Sequence, residues 1–252
     1  MFVNTWKRLT GKYCNQHLNT TLRKYYHYFK QIAKNIHWNI QYSLLFKKYS
    51  SFTMIPKPVF IDNLILCDTF KQIEGDFVEC GVWRGGMSGA TAEVMGKNRT
   101  YYLFDSFEGL PAVKEIDGIA AKKWQDDKSS AYYYDNCSAE MSYAETAMKK
   151  SGVTYQLIKG WFNDTLPSFT LTNKIAVLRL DGDWYDSTMD CLVNLYPLVQ
   201  ENGLIIIDDY YAWDGCTKAV HDYLSKNDLP IRIHQTKNGV CYIIKTPLGR
   251  KL

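Results

Sequence analysis

The chain has 252 residues, 46% of them hydrophobic and 22% charged, with 30 Lys and Arg against 26 Asp and Glu for a net charge of +4. This is ordinary globular usage, so disordered, collagen-like and low-complexity chains are excluded. No run nears the ~18–20 consecutive apolar residues that a membrane-spanning helix needs.

The first residues, MFVNTWKRLTGKYCNQ, are polar and basic and lack the apolar stretch of a secretory leader. The seven cysteines are an odd set without CxxC or zinc-type spacing. A cytoplasmic protein with reduced thiols is expected. Charge is uneven along the chain: residues 1–61 hold ten Lys and Arg and no Asp or Glu, which leaves the remainder at −6. The chain therefore divides into a basic helical arm or lid over residues 1–58 and a mildly acidic core domain over 59–252. In the arm, Leu22, Tyr26, Phe29, Ala33, Ile36, Ile40 and Leu44 recur every three or four residues, the stripe of an amphipathic helix. Such a stripe is expected to be covered by the core or by a second copy in a homo-oligomer. Docking on a membrane surface is the less favoured use. His17, His27 and His37 fall at ten-residue steps, which do not share a helix face.

Pro56 and Pro58 break the chain, and a short helix is expected over 60–70. From Asp76 onward apolar strands alternate with helical segments. Strands are expected at 77–82, 100–105, 154–160, 174–181 and 203–209, with helices through 91–95, 140–150, 187–200 and 215–226. Two closing segments, 231–236 and 240–245, flank Lys237-Asn238-Gly239, a hairpin signal. This pattern specifies an α/β fold with a doubly wound, mostly parallel sheet ending in an antiparallel hairpin. Residues 106–139 read as one long irregular insertion, the kind of segment that carries substrate contacts. Trp124, Tyr132, Tyr133 and Tyr134 within it fit either a sugar-stacking wall or a loop packed on itself.

In an open parallel sheet, ligands bind outside the carboxyl ends of the strands. The first strand ends in Glu79-Cys80-Gly81-Val82-Trp83-Arg84-Gly85-Gly86. Glycines there permit close backbone approach to a ligand, but G-x-G-x-x-G is absent, and Glu79 would repel a pyrophosphate while accepting a sulfonium or ammonium. Asp105 ends the second strand, the place of an acid that pairs ribose hydroxyls. The fourth and fifth strands end in Asp181-Gly182-Asp183 and Asp208-Asp209. Carboxylates converging on one rim need a cation, and oxygen donors without His or Cys favour Mg²⁺ or Ca²⁺ over zinc. Capping of the following helices is the weaker reading.

ECGVWRGG, FDSFEGLP (104–111), KGWFNDTLP (159–167), LRLDGDWYDST (178–188), LYP (195–197), IIIDDY (205–210) and GC-KAVHDY (215–223) follow in order. In these motifs the chain resembles the macrocin-type (TylF-like) sugar O-methyltransferases from about Tyr49 to its end. The resemblance implies a Rossmann-like class I methyltransferase fold, S-adenosylmethionine and Mg²⁺ (Mn²⁺ as the alternative) as cofactors, and an acceptor sugar in a glycoside natural product or a surface-polysaccharide precursor. It also implies site residues. Glu79, Cys80, Gly81, Val82 and Trp83 would line the methionine part of the cofactor, and Asp105 would hold the ribose with Ser106, Phe107, Glu108 and Gly109 alongside. Gly160, Trp161 and Phe162 would border the adenine, Thr53 and Met54 would close over the cofactor, and Asp181, Asp208 and Asp209 would ligate the metal. Relatives with a histidine base carry it in the central insertion, whereas this chain has no His between His37 and His221. The base is then Asp181, with Asp183 in reserve. His221 is expected to pack or cap.

Two other functional classes compete with this one. A nicotinamide-dependent oxidoreductase is opposed by Glu79 and the missing glycine fingerprint. A nucleic-acid-binding module would use the basic arm, but the acidic core offers no continuation of that surface, so no nucleic-acid partner is expected.

Overall fold

The structure is a computed structural model that describes residues 38–246. Among the described residues, 38–44 belong to one compact unit and 45–246 to a second. Residues 38–49 are helical, and the stripe members Ile40 and Leu44 are exposed. The rest of the stripe, with His17, His27 and His37, lies outside the described residues. No helix among the described residues is long and apolar enough to cross a membrane.

In the second unit the elements run α1 (Lys57–Phe70), β1 (Asp76–Cys80), α2 (Gly86–Met95), β2 (Thr100–Asp105), α3 (Gly118–Asp126), α4 (Met141–Ser151), β3 (Thr154–Lys159), α5 (Phe162–Thr165), β4 (Ile175–Leu180), α6 (Tyr185–Leu195), β5 (Val199–Ile207), α7 (Asp214–Lys226), β6 (Ile233–Gln235) and β7 (Cys241–Ile244). The strands form one seven-stranded sheet in the order β3-β2-β1-β4-β5-β7-β6. β1 to β5 pair in parallel, while β7 runs antiparallel to both β5 and β6. The expected α/β class and closing hairpin are both present.

Strand side chains alternate between two cores. Val78, Phe104, Leu178, Leu180, Ile205 and Ile207 pack with Leu192 of α6 and Val220 of α7. Phe77, Tyr101, Leu103, Val177, Leu204 and Ile206 pack on the other face with Ala92 of α2 and Met148 of α4. Burial on both faces explains why β4 and the second half of β5 read as near-continuous apolar runs. The chain order reverses between β1 and β4, so their carboxyl ends open the crevice where such sheets bind ligands.

Two expected elements differ. The helix expected over 187–200 stops at Leu195, and Tyr196–Leu198 tightens into a 3-10 turn before β5 begins at Val199. Pro197 cannot donate a helical hydrogen bond, and the apolar residues beyond it belong to the sheet. The insertion 106–139 contains α3, which has only Ala121 fully buried. With one buried position in nine residues, no apolar period marks it in the sequence.

Candidate active site

The carboxyl ends of β1 and β4 touch. Asp181 N–H donates to the Cys80 carbonyl at 2.8 Å. A Cβ at Gly81, whose φ is +88°, would lie 1.7 Å from the Asp181 carbonyl oxygen. Only glycine fits there. A Cβ at Gly86, in the first turn of α2, would likewise meet the Phe52 carbonyl oxygen at 2.6 Å, so the 52–53 segment lies against that helix start.

A cleft of about 730 Å³ opens over these strand ends. Of the residues singled out in the sequence, Thr53, Met54, Glu79, Gly81, Val82, Trp83, Asp105, Ser106, Gly109, Gly160, Trp161, Phe162, Asp181, Asp183, Asp208 and Asp209 line it. Three cofactor candidates do not. Cys80 points into one core and Phe107 into the other, as strand alternation and the tight turn after β2 dictate. Glu108 has a largely exposed side chain 3.8 Å from Lys159 Nζ.

Asp105 does structural duty within the cleft. Its Oδ2 accepts the N–H of Val82 at 2.7 Å and of Trp83 at 2.8 Å, and its Oδ1 accepts that of Phe107 at 2.6 Å. It thereby fixes both loops that follow β1 and β2, and burial raises its carboxyl above the usual range.

Arg179, which the sequence reading left without a role, is the centre of charge. It is 1% exposed, and its guanidinium reaches Glu79 at 2.8 Å, Asp181 at 2.7 Å, Asp208 at 2.6 Å and the Asn63 side-chain oxygen at 3.3 Å. Burial pushes the Glu79 carboxyl up to about 7, against the opposing pull of Arg179 and a hydrogen bond from Ser88. Asp208 is raised to about 6, chiefly by burial, with Arg179 again opposing. The signal for Arg179 was present: a cation two residues before Asp181 in a strand shares its face.

Asp183 has a left-handed backbone, with φ +58°. Its N–H donates to Asp209 Oδ2 at 3.0 Å, and its Oδ1 accepts Trp213 Nε1–H at 2.8 Å. Burial, with Asp181 adding repulsion, pushes its carboxyl up to about 8. Asp209 is raised well above its ordinary range by burial and by Asp183.

One carboxylate oxygen from each of Asp181, Asp208 and Asp209 lies within 4.8 Å of the others. Each residue gives its other oxygen, or one of its pair, to an internal donor: Arg179 for Asp181 and Asp208, the Asp183 amide for Asp209. The second oxygen of each takes no hydrogen bond among the described residues, and the donor set is all oxygen. These residues fit a hard divalent cation.

The insertion's aromatics pack on one another and behind the cleft's own rings: Trp124 lies edge-on to Trp184 and Trp213 with centroids 6.0 Å apart, and Tyr134 to Trp83 at 6.1 Å. Trp124 Nε1 donates to the Tyr132 carbonyl at 3.0 Å, its ring lies 5.5 Å from that of Tyr133, and none of Trp124, Tyr132, Tyr133 or Tyr134 lines the cleft. The ring that does line it on this side is Trp184, whose Nε1 donates to the Pro111 carbonyl at 3.0 Å. His221 Nε2 is bonded to the Tyr210 hydroxyl at 2.9 Å, away from the cleft.

The profile of the macrocin O-methyltransferases (TylF) matches residues 51–244. The chain belongs to this family. Demethyldecarbamoylnovobiocin O-methyltransferase of Streptomyces niveus is 39% identical over 170 residues, 63% of this chain and 62% of the relative. A 4′-O-methyltransferase of Streptomyces olivaceus, named for a rhamnosyl-bearing tetracenomycin C, is 38% identical over 65% of this chain and 64% of its own length. The matched stretch thus spans less than two thirds of these curated relatives. Among solved structures, the O-methyltransferase NovP is similar at a TM-score of 0.64 and 31% identity, covering 78% of this chain and 83% of NovP. All strands and the whole acidic rim of the TylF-family domain described above fall inside the matched region.

Proposed function

We propose that this TylF-family chain transfers a methyl group from S-adenosylmethionine to a hydroxyl of a sugar, in a glycoside or a surface-polysaccharide precursor, with a divalent metal, Mg²⁺ or Mn²⁺, held by Asp181, Asp208 and Asp209. The observation that carries this reading is that the three-carboxylate cluster opens into the same cleft as Glu79 and the glycine-bearing loop after β1. The sugar class draws on the rhamnosyl group in the name of the Streptomyces olivaceus relative. The cofactor supplies an electrophilic methyl on a sulfonium, and a divalent cation supplies neutralising charge and makes a nearby hydroxyl more acidic.

The chain's own residues do the rest. Glu79, behind the Gly81 turn, offers negative charge to the ammonium of the cofactor's methionine part. Asp105 holds the Val82 and Trp83 amides so that the turn keeps its shape. Gly160, Trp161 and Phe162 border the adenine, while Thr53 and Met54 close over the cofactor from the segment before α1. Asp181 accepts the proton of the attacking hydroxyl, with Asp183, anchored by Trp213, as the second acceptor on the same rim. Fixing the acceptor oxygen relative to the methyl group lowers the barrier by positioning.

A cytosolic enzyme acting as a homo-oligomer is the accompanying proposal. The six described cysteines are free thiols, which supports a reducing compartment. The deciding assay is methyl transfer to rhamnosides from labelled S-adenosylmethionine, with EDTA and then with Mg²⁺ restored. Activity lost and regained supports the reading; full activity in EDTA overturns the metal's part in it. Failure to bind S-adenosylhomocysteine overturns the cofactor assignment.

A further inference from the structure

The loop after β2 is held in two different ways. Its first half ties itself down. Asp105 Oδ1 accepts the Phe107 N–H at 2.6 Å, and Ser106 Oγ accepts that of Glu108 at 3.1 Å while donating to the Gly109 carbonyl at 3.0 Å. The second half, residues 110–113, is held from outside. Leu110, Pro111 and Ala112 line the cleft beside Trp184. Asn136 Nδ2 donates to the Leu110 carbonyl at 2.7 Å, and the Asn136 carbonyl accepts the Leu110 N–H at 2.9 Å. Gln125, on α3, donates from Nε2 to the Pro111 carbonyl at 2.9 Å and to Asn136 Oδ1 at 3.1 Å. Its Oε1 accepts the Val113 N–H at 2.7 Å. Neither amide side chain lines the cleft itself.

Asn136 stands in a turn that a chain does not adopt freely. Tyr134, Asp135, Asn136 and Cys137 have successive φ values of +50°, +54°, +55° and +59°. L-residues avoid such a left-handed run, Asn and Asp least strongly. Of those two, only Asn offers both the donor for Leu110 and the acceptor for Gln125. The turn is pinned on its other side at Trp83, whose Nε1 donates to the Ser138 carbonyl at 3.3 Å. Gly109 packs so close that a Cβ there would lie 2.5 Å from the Asn136 carbonyl oxygen. Backbone strain of this kind persists only where its surroundings over-determine it, and it gathers at functional sites.

We propose that Asn136, with Gln125 behind it, is a positioning residue for the acceptor: the clasp holds the 110–112 wall of the cleft against Trp184, and the acceptor binds against that wall. This rests on the methyl-transfer reading above and deepens it. Without the clasp the wall loosens, while the acids of the rim keep their bonds to Arg179 and to the Asp183 amide. The first half of the loop keeps Asp105 and Ser106 as its supports. The loss therefore falls on acceptor binding, which raises KM and leaves kcat in place.

The test uses the full-length chain with Mg²⁺ present and compares wild type with Asn136→Gly and Asn136→Asp. Glycine accepts the left-handed backbone and deletes the amide. Aspartate keeps the acceptor for Gln125 but sets a carboxylate oxygen against the Leu110 carbonyl. Both are expected to raise KM for methyl α-L-rhamnopyranoside at least about fivefold, with kcat within about threefold and S-adenosylhomocysteine affinity within about twofold. Amide hydrogen exchange at 110–113 is expected to quicken about tenfold in both, with β1 and β4 as protected as in wild type. An unchanged KM overturns the inference, as does unchanged exchange at 110–113 or a loss that falls on S-adenosylhomocysteine affinity instead. If wild type binds S-adenosylhomocysteine but methylates no rhamnoside, the sugar class falls; quickened exchange then still supports the clasp, and unchanged exchange overturns it. If S-adenosylhomocysteine itself fails to bind, it is the underlying reading that falls.

Discussion

The guanidinium of Arg179 holds Asp208 by one carboxylate oxygen at 2.6 Å, while another oxygen of the same cluster faces its neighbours within 4.8 Å. Because the same guanidinium also holds Asp181 and Glu79, one buried cation orients acids from β1, β4 and the end of β5. Removing it strands three carboxylates in a nearly dry site. Arg179→Met is therefore expected to destabilise the fold by about 3–5 kcal/mol, the usual cost of breaking a buried ion pair from one side. Arg179→Lys is expected to recover only part, because an ammonium cannot present the same fork. Urea unfolding of the three proteins checks this; equal midpoints would show that the network carries no stability.

Asp208→Asn and Asp209→Asn each remove a carboxylate proposed to hold the metal and nearly keep shape, so folding should survive. Methyl transfer should fall at least about a hundredfold, an effect near 2.7 kcal/mol on the barrier. Asp181→Asn should be worse, because it removes a ligand and the proposed proton acceptor together. Calorimetric Mg²⁺ titration beside the rate measurement separates the two losses: all three variants should lose metal affinity, and only Asp181→Asn should stay inactive at saturating metal.

The fold was legible because β1, β4 and β5 are buried on both faces and α7 carries a clear apolar stripe. The acids at the strand ends were legible for the same topological reason. What the sequence hid is pairing. Asp105 looks like a free strand-end acid, yet both its oxygens are bound to loop amides 2 and 22–23 residues away in the chain. Trp184 and Trp213 look like ordinary helix-start aromatics, and only the folded insertion shows that one lines the cleft and the other holds Asp183. Helix α3 escaped because its exposure leaves propensity without an apolar period.

Glu79 gives a pH dependence with a definite sign. Burial raises its carboxyl to about 7, above the ordinary glutamate range. Above that pH it is ionised and attracts an ammonium; below, it is neutral and does not. Affinity for S-adenosylhomocysteine should fall as pH drops from 8 to 6. For folding the sign is opposite. A carboxyl whose folded pKa lies above its unfolded one favours the folded state in its protonated form, so its contribution to stability declines as pH rises from the unfolded value through about 7. Titrating ligand binding in wild type and Glu79→Gln tests the first statement: the variant should bind weakly with a flat profile, and an unchanged slope would assign the dependence to another group.

Trp213 and Asp183 offer the finest test of the rim. The indole Nε1 donates to Asp183 Oδ1 at 2.8 Å, and the ring packs edge-on against Trp184 with centroids 5.2 Å apart. Trp213→Phe keeps an aromatic ring beside Trp184 but deletes the donor. A hydrogen bond contributes about 0.5–1.5 kcal/mol net, so if Asp183 must be held in one orientation to meet the acceptor, kcat should fall about two- to tenfold. Affinity for S-adenosylhomocysteine should not change, because the proposed cofactor side of the cleft is built from β1, β2 and the Gly160 turn. Mg²⁺ affinity should change little, because the Asp183 amide and Asp209 keep their bond. A role confined to packing would instead lower the melting temperature and leave kcat intact in the folded fraction. Asp183→Asn separates the partners further. If it matches Trp213→Phe in rate and the double variant is no slower than either alone, the two residues act as one unit; additive losses would show that Trp213 works through the ring and not through Asp183.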